Sequence, residues 1–145
     1  MPEVSRSALL MYSADEMFQL VNDIDAYPEF LAGCAGAQII SKQGNILYAS
    51  IDVAKAGIHK TFTTENTLIN GERISMKLVD GPFKHLSGNW RFLKLDDKAC
   101  KVNFDLSFEF SSKLVEFTFG RIFNNLVGAM VKSFAERAKV IYGER

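Results

Sequence analysis

Few side chains in this sequence of 145 residues have the chemistry that metal binding or redox catalysis needs. The two histidines, His59 and His85, fall on different predicted strands, and neither has a cysteine or carboxylate beside it at metal-ligand spacing. The two cysteines, Cys34 and Cys100, match no metal or redox motif, so we expect them to be reduced and partly buried. The sequence therefore predicts no metal site.

Asp23, Asp25 and Glu29 form an acidic cluster in which general acid–base chemistry is conceivable. Such a pair needs burial to shift a pKa, and nothing in the surrounding sequence indicates burial. Solvated caps and turns are therefore the favoured interpretation. The chain also has no glycine-rich phosphate loop and no serine in a nucleophile-elbow context. We predict no catalytic residues and a protein that is not an enzyme.

Three aromatic residues are candidates for ligand binding. Tyr27 and Phe30 flank a Pro-Glu turn, where they either cover the mouth of a cavity or plug the core. Trp90 shares one face of a predicted strand with Gly88 and Phe92, and a glycine there would let a ligand or another chain approach closely. Trp90 therefore either lines a cavity or packs as an ordinary core residue.

Arg137 carries a charge on the apolar side of a predicted helix, near Met130 and Phe134. A cation in that position must find a partner or extend its head group to solvent. The alternative is a polar group that faces a cavity and donates hydrogen bonds to a bound ligand. Both interpretations remain open from the sequence.

Three basic residues of the same helix, Arg121, Lys132 and Lys139, follow one outer line. Such a line is either a solvated face or a contact surface for RNA phosphates, whose binding would be strongly salt-dependent. Glu136 interrupts it, and we expect no exposed aromatic surface for base stacking because the phenylalanines alternate inward.

The elements that position these residues follow from the patterning. A first strand is predicted at residues 4–12, Ser13 and Glu16 form a capping box for a helix, and a second short helix is predicted at residues 28–31. A long helix is predicted at residues 112–142. Between them the period is two, which predicts six more strands at residues 38–42, 46–54, 60–69, 73–79, 83–95 and 100–110.

The composition is that of a globular protein, with 48% hydrophobic and 23% charged residues. Lysine plus arginine equals aspartate plus glutamate, at 17 each, which argues against a DNA partner and leaves RNA only a local patch. No secretory signal and no membrane span is recognised, so we expect one cytoplasmic domain over residues 1–145.

Seven antiparallel strands and one long helix bury both apolar faces when the sheet curls around the helix. The predicted architecture is therefore an α+β helix-grip fold with two short helices after the first strand and a cavity between sheet and helix. The expected ligand-binding residues of that cavity are Tyr27, Phe30, Trp90, Phe92, Phe104, Phe108, Met130, Phe134 and Arg137.

Five segments carry a family resemblance across nearly the whole chain. They are residues 20–34 (LVNDIDAYPEFLAGC), 60–66 (KTFTTEN), 78–90 (LVDGPFKHLSGNW), 104–110 (FDLSFEF) and 130–143 (MVKSFAERAKVIYG). In these segments the sequence resembles the START-like proteins of the polyketide-cyclase and coenzyme Q-binding group.

The resemblance implies two activities. Toxin-like members of the group bind the large (50S) ribosomal subunit and block its association with the small subunit, which inhibits translation initiation. Coenzyme Q-binding members hold ubiquinone or another lipid in the cavity and support respiration. We expect the first activity, which requires no cofactor, with Arg121, Lys132 and Lys139 as RNA contacts; ubiquinone or lipid binding is the alternative.

Overall fold

The computed structural model describes residues 3–144. The strands are β1 (Glu3–Leu10), β2 (Cys34–Gln43), β3 (Ile46–Lys55), β4 (Ile58–Ile69), β5 (Arg73–Asp80), β6 (Phe83–Asp96) and β7 (Ala99–Phe110). The helices are α1 (Ala14–Asn22), a 3₁₀ helix (Ile24–Glu29), α2 (Lys113–Gly128) and α3 (Met130–Tyr142).

All seven strands form one antiparallel sheet in the order β1-β7-β6-β5-β4-β3-β2. Consecutive strands from β2 to β7 therefore pair with each other, and β1 pairs with β7 at one edge of the sheet. Asn70 and Gly71, a residue pair typical of hairpin turns, lie in the turn between β4 and β5: Gly71 has a φ of 73°, and the Glu72 N–H donates to the Ile69 carbonyl at 2.9 Å. The predicted α+β helix-grip fold is confirmed.

Helix α1 begins as the sequence predicted. The Ser13 hydroxyl accepts a hydrogen bond from the Glu16 N–H at 3.0 Å, and the Glu16 carboxylate accepts one from the Ser13 N–H at 2.9 Å. These two bonds satisfy donors that a helix start leaves open, and the helix buries Met17, Phe18 and Val21 against the sheet.

The second short helix is a 3₁₀ helix that begins four residues earlier than predicted, at Ile24. Residues three apart lie on the same side of a 3₁₀ helix, and here the buried pair is Ile24 and Tyr27. Burial of these two side chains sets the start of the helix, so Pro28 lies near its end. The predicted bounds of 28–31 were wrong.

The predicted long helix is interrupted at Ala129, which has φ −98° and ψ −4° and separates α2 from α3. The preceding residue is Gly128, a residue type at which helices often bend. Both halves bury an apolar face on the curved sheet, with Phe123 in α2 and Phe134 in α3 almost fully enclosed. Both halves therefore contribute side chains to one core despite the interruption.

The core lies between the concave face of the sheet and helices α2 and α3. The alternation predicted for β7 is confirmed, because its inward side chains are all buried: Val102, Phe104, Leu106, Phe108 and Phe110. Within residues 3–144, no helix is both long enough and apolar enough to span a bilayer.

Candidate functional site

A small cavity lies between the sheet and the helices, with a volume of about 40 Å³. Four of the predicted ligand-binding residues line it, namely Tyr27, Trp90, Phe104 and Met130. The other lining side chains come from β3 to β7, α2 and the 3₁₀ helix, and nearly all are apolar. The cavity therefore has the position that the fold predicts.

The remaining predicted ligand-binding residues lie elsewhere. Phe92, Phe108 and Phe134 are buried in the surrounding core and contribute no wall to the cavity. Phe30 and Arg137 line a separate surface groove of about 400 Å³ between α1, the 3₁₀ helix and α3. The structure thus divides the predicted set among an inner cavity, the packed core around it and an outer groove.

Two polar residues that the sequence interpretation missed, Thr64 and Asn66, line the cavity from β4. Both are 5% exposed, and the Thr64 hydroxyl donates a hydrogen bond to the Asn66 side-chain oxygen at 2.8 Å. Alternate strand residues share a face, so their spacing from buried Phe62 was the available signal. Asn66 thus places a side-chain amide at an otherwise apolar cavity wall.

The cavity is too small for a quinone ring in this conformation. A buried water needs about 10–15 Å³, and a cavity that holds benzene measures about 150 Å³. A volume of about 40 Å³ accepts a few waters at most. Binding of a ring-sized ligand therefore requires the lining side chains to move.

An aromatic layer separates the cavity from the groove. The Tyr27 ring packs edge-on against Phe30 and Phe134, with centroid distances of 6.1 and 5.3 Å. The Tyr27 hydroxyl donates a hydrogen bond to the Val21 carbonyl, which fixes the 3₁₀ helix to α1. Burial raises the pKa of the Tyr27 phenol, and Cys34 and Asp23 add to this, so the phenol remains protonated at neutral pH.

Arg137 contacts this aromatic layer from the groove side. Its guanidinium lies 5.0 Å from the centroid of the Phe30 ring and 3.3 Å from a Glu29 carboxylate oxygen. The Arg137 side chain is 16% exposed and that of Glu29 is 63% exposed. The charge is therefore paired at the groove and does not face the cavity.

The cysteines are free thiols in buried positions. Burial is the largest cause that raises the pKa of Cys34, and burial raises the pKa of Cys100 to about 11. A thiol with a raised pKa is a poor nucleophile at neutral pH. Across residues 3–144, no three of His, Cys, Asp and Glu are grouped closely enough to hold a metal ion.

The predicted RNA contacts are all at the surface. Arg121 is exposed on α2, and Lys132 and Lys139 are exposed on α3. Glu136 is also exposed, so an acidic residue does stand among the cations of α3. The structure therefore leaves these three cations accessible to a large partner.

Comparison with known proteins gives relatives along the whole chain. Ribosome association toxin RatA of Vibrio cholerae is 56% identical over 144 residues, which cover 99% of this chain and 100% of the relative. RatA of Escherichia coli K12 is 51% identical over 145 residues, which cover 100% of this chain and 92% of the relative. Coenzyme Q-binding protein COQ10 homolog B of Xenopus laevis is 29% identical over 147 residues, which cover 99% of this chain and 60% of the relative.

A solved structure shows the same fold at lower identity. A crystal structure of a Thermus thermophilus protein superposes with a TM-score of 0.80 and 17% identity, covering 94% of this chain and 96% of that chain. The sequence profile of the family described as "Polyketide cyclase / dehydrase and lipid transport" matches residues 10–135. Because that match spans most of the sequence and the relatives align from end to end, this chain belongs to the polyketide cyclase / dehydrase and lipid transport family.

Proposed function

We propose that the protein is a cytoplasmic, non-enzymatic factor that binds the large ribosomal subunit and blocks its association with the small subunit. The observation that carries this proposal is the identity of 51–56% over full length to proteins named ribosome association toxin RatA. Translation initiation fails in this scheme because a subunit with an occupied joining surface cannot form a complete ribosome.

The structure supports a function at the surface. The cavity is nearly filled, whereas Arg121, Lys132 and Lys139 are exposed along α2 and α3. Three phosphate contacts would weaken binding roughly 20- to 40-fold between about 50 and 200 mM salt. With a net charge of zero, the protein lacks the overall attraction that would hold it on RNA nonspecifically.

The test is sedimentation of purified protein with purified large and small subunits through sucrose gradients at two salt concentrations. We expect the protein to travel with large subunits at low salt, to leave them at higher salt and to reduce the fraction of joined ribosomes. The double variant K132E/K139E should lose this activity. A matched variant, K42E/K98E, reverses one exposed lysine on β2 and one in the turn between β6 and β7, and it should retain the activity.

A protein that stays at the top of the gradient at both salt concentrations would contradict the proposal. The same conclusion follows if joined ribosomes persist at a protein concentration well above that of the subunits. Equal loss of activity in both double variants would show that net charge, and not the basic line on α2 and α3, governs binding.

A second candidate function, binding of a ubiquinone-like molecule, is favoured by the polar pair in the cavity. The Asn66 amide nitrogen is a donor at an apolar wall, which suits a carbonyl oxygen, and the Xenopus relative is named for coenzyme Q binding. Solvent extraction of the purified protein followed by mass spectrometry should recover a hydrophobic molecule. Asn66→Leu should lower its yield; an empty wild-type protein would argue against this function.

A further inference from the structure

The outer face of α2 exposes an aromatic side chain, contrary to the expectation that the phenylalanines point inward. Phe117 is 86% exposed, more than any other large hydrophobic residue within residues 3–144, and Leu114 one turn earlier is 71% exposed. Phe117 and Leu114 are three residues apart and so lie on one side of α2, where neighbouring exposed apolar side chains indicate a contact surface.

Basic residues flank this ring at helical spacing. Lys113, Phe117 and Arg121 are four residues apart in turn, so they follow one line on α2, with about 6 Å of helix between neighbours. Both cations are exposed. The ring therefore lies between two positive charges on the same side of the helix.

The same line continues toward the end of α2 without an acidic residue. Asn124 and Asn125 are exposed, and the Arg6 guanidinium lies beside Gly128, 3.6 Å from where a side-chain Cβ would stand. Glu116, the one carboxylate in α2, is also exposed but is not on this line, because it directly precedes Phe117 and so is about 100° away around the helix. The α2 face, defined here as Arg6, Lys113, Phe117, Arg121 and Asn124, thus combines one ring, three cations and an amide.

This combination suits single-stranded RNA better than a lipid surface. An unpaired base stacks on an aromatic ring, its flanking phosphates are held by lysine and arginine, and an amide can bond to a base edge. A helix that lies on a membrane needs a broad apolar face, but the broad apolar face of α2 is buried against the sheet.

We infer that the α2 face docks on an unpaired segment of large-subunit ribosomal RNA, with one base stacked on Phe117 and its flanking phosphates held by Lys113 and Arg121. The inference rests on the proposed function, and it names the ribosomal component that the protein contacts as unpaired RNA. It also explains why an exposed phenylalanine is placed within a line of basic residues.

The first experiment measures the affinity of the full-length protein for purified large subunits. Phe117→Ala should weaken binding about tenfold or more, because a lost stacked base has an effect of that order. Phe117→Trp should bind within about twofold of wild type, since a larger ring still stacks. Leu95→Ala removes another exposed apolar side chain, on β6, and should change nothing.

Salt dependence distinguishes the two kinds of contact. Phe117→Ala should leave the slope of log affinity against log salt unchanged, whereas Arg121→Gln should reduce it by about one phosphate contact. If Phe117→Ala binds like wild type while K132E/K139E does not, this inference fails and the proposed function stands. If the wild-type protein does not bind large subunits at all, both fail.

Photocrosslinking identifies the partner directly. Phe117→p-benzoylphenylalanine, irradiated on large subunits, should crosslink to ribosomal RNA. Crosslinking only to a ribosomal protein would overturn the inference. Co-sedimentation of the protein with vesicles of phosphatidylglycerol and phosphatidylcholine would also overturn the inference if it depends on Phe117. The α2 face would then be a lipid contact.

Discussion

Replacing Arg137 tests whether the contact between α3 and the 3₁₀ helix is held mainly by the ring or by the ion pair. The guanidinium is 5.0 Å from the Phe30 centroid and 3.3 Å from Glu29, and the Arg137 side chain is only 16% exposed. A cation–π contact contributes about 0.5–1 kcal/mol at an exposed site and about 2 kcal/mol when desolvated, so about 1 kcal/mol is expected for this partly exposed pair. An ion pair whose carboxylate is 63% exposed contributes about 0.5 kcal/mol or less after screening by solvent.

Three substitutions at this contact should therefore rank in a fixed order. Arg137→Met keeps the aliphatic stem and loses the charge, so it should lower the free energy of unfolding by about 1 kcal/mol. Arg137→Ala also loses stem packing and should cost about 2 kcal/mol. Glu29→Gln removes only the ion pair and should cost about 0.5 kcal/mol or less.

Urea denaturation followed by tryptophan fluorescence measures these differences, because Trp90 lies in the core 5.3 Å from Phe134. A double-mutant cycle of Arg137→Met with Phe30→Leu should give a coupling of about 0.5–1 kcal/mol that persists at high salt. A loss in Glu29→Gln equal to that in Arg137→Met, abolished by salt, would refute the dominance of the ring contact.

Two further predictions concern the sheet. Gly88→Ala should destabilise the protein by more than about 2 kcal/mol in urea denaturation, because its Cβ would stand 2.3 Å from the Asp105 carbonyl oxygen in the neighbouring strand. Gly36→Ala, whose Cβ would meet the end of a movable carboxylate at 2.7 Å, should cost less. The pKa of Cys100 is raised from 9.0 to about 11, because the folded state favours the protonated thiol. The free energy of unfolding should therefore fall by about 2 kcal/mol as the pH rises from about 9 to about 11. Cys100→Ala should lack that part of the decline.

The strands and turns followed from the sequence because they depend on local patterns. Alternation of apolar residues in β7 and the glycine turn at residue 71 each specify structure within a few residues. The capping box at Ser13 is equally local, since both of its hydrogen bonds join residues three apart. These features need no knowledge of what packs against them.

The site depended on contacts between distant parts of the chain. Arg137 and Glu29 are 108 residues apart, and no periodicity reveals that they meet. Helical spacing correctly put Arg137 near the apolar side of α3, but the side chain extends to a groove that the 3₁₀ helix creates. Phe117 was missed because the inward alternation of phenylalanines in β7 was assumed to hold for a phenylalanine that lies on a helix.

The cavity lies on the inner side of α2 and α3 and the exposed cations lie on their outer side, so substitutions can separate the two proposed functions. α2 presents Phe123 to the cavity and Arg121 to solvent, and α3 presents Met130 to the cavity and Lys132 to solvent. Enlarging a cavity of about 40 Å³ for a ring-sized ligand must displace these inner side chains, and displaced helices would carry their outer residues with them. Ligand occupancy would then alter ribosome binding, whereas substitutions of the outer residues alone would leave the cavity unchanged.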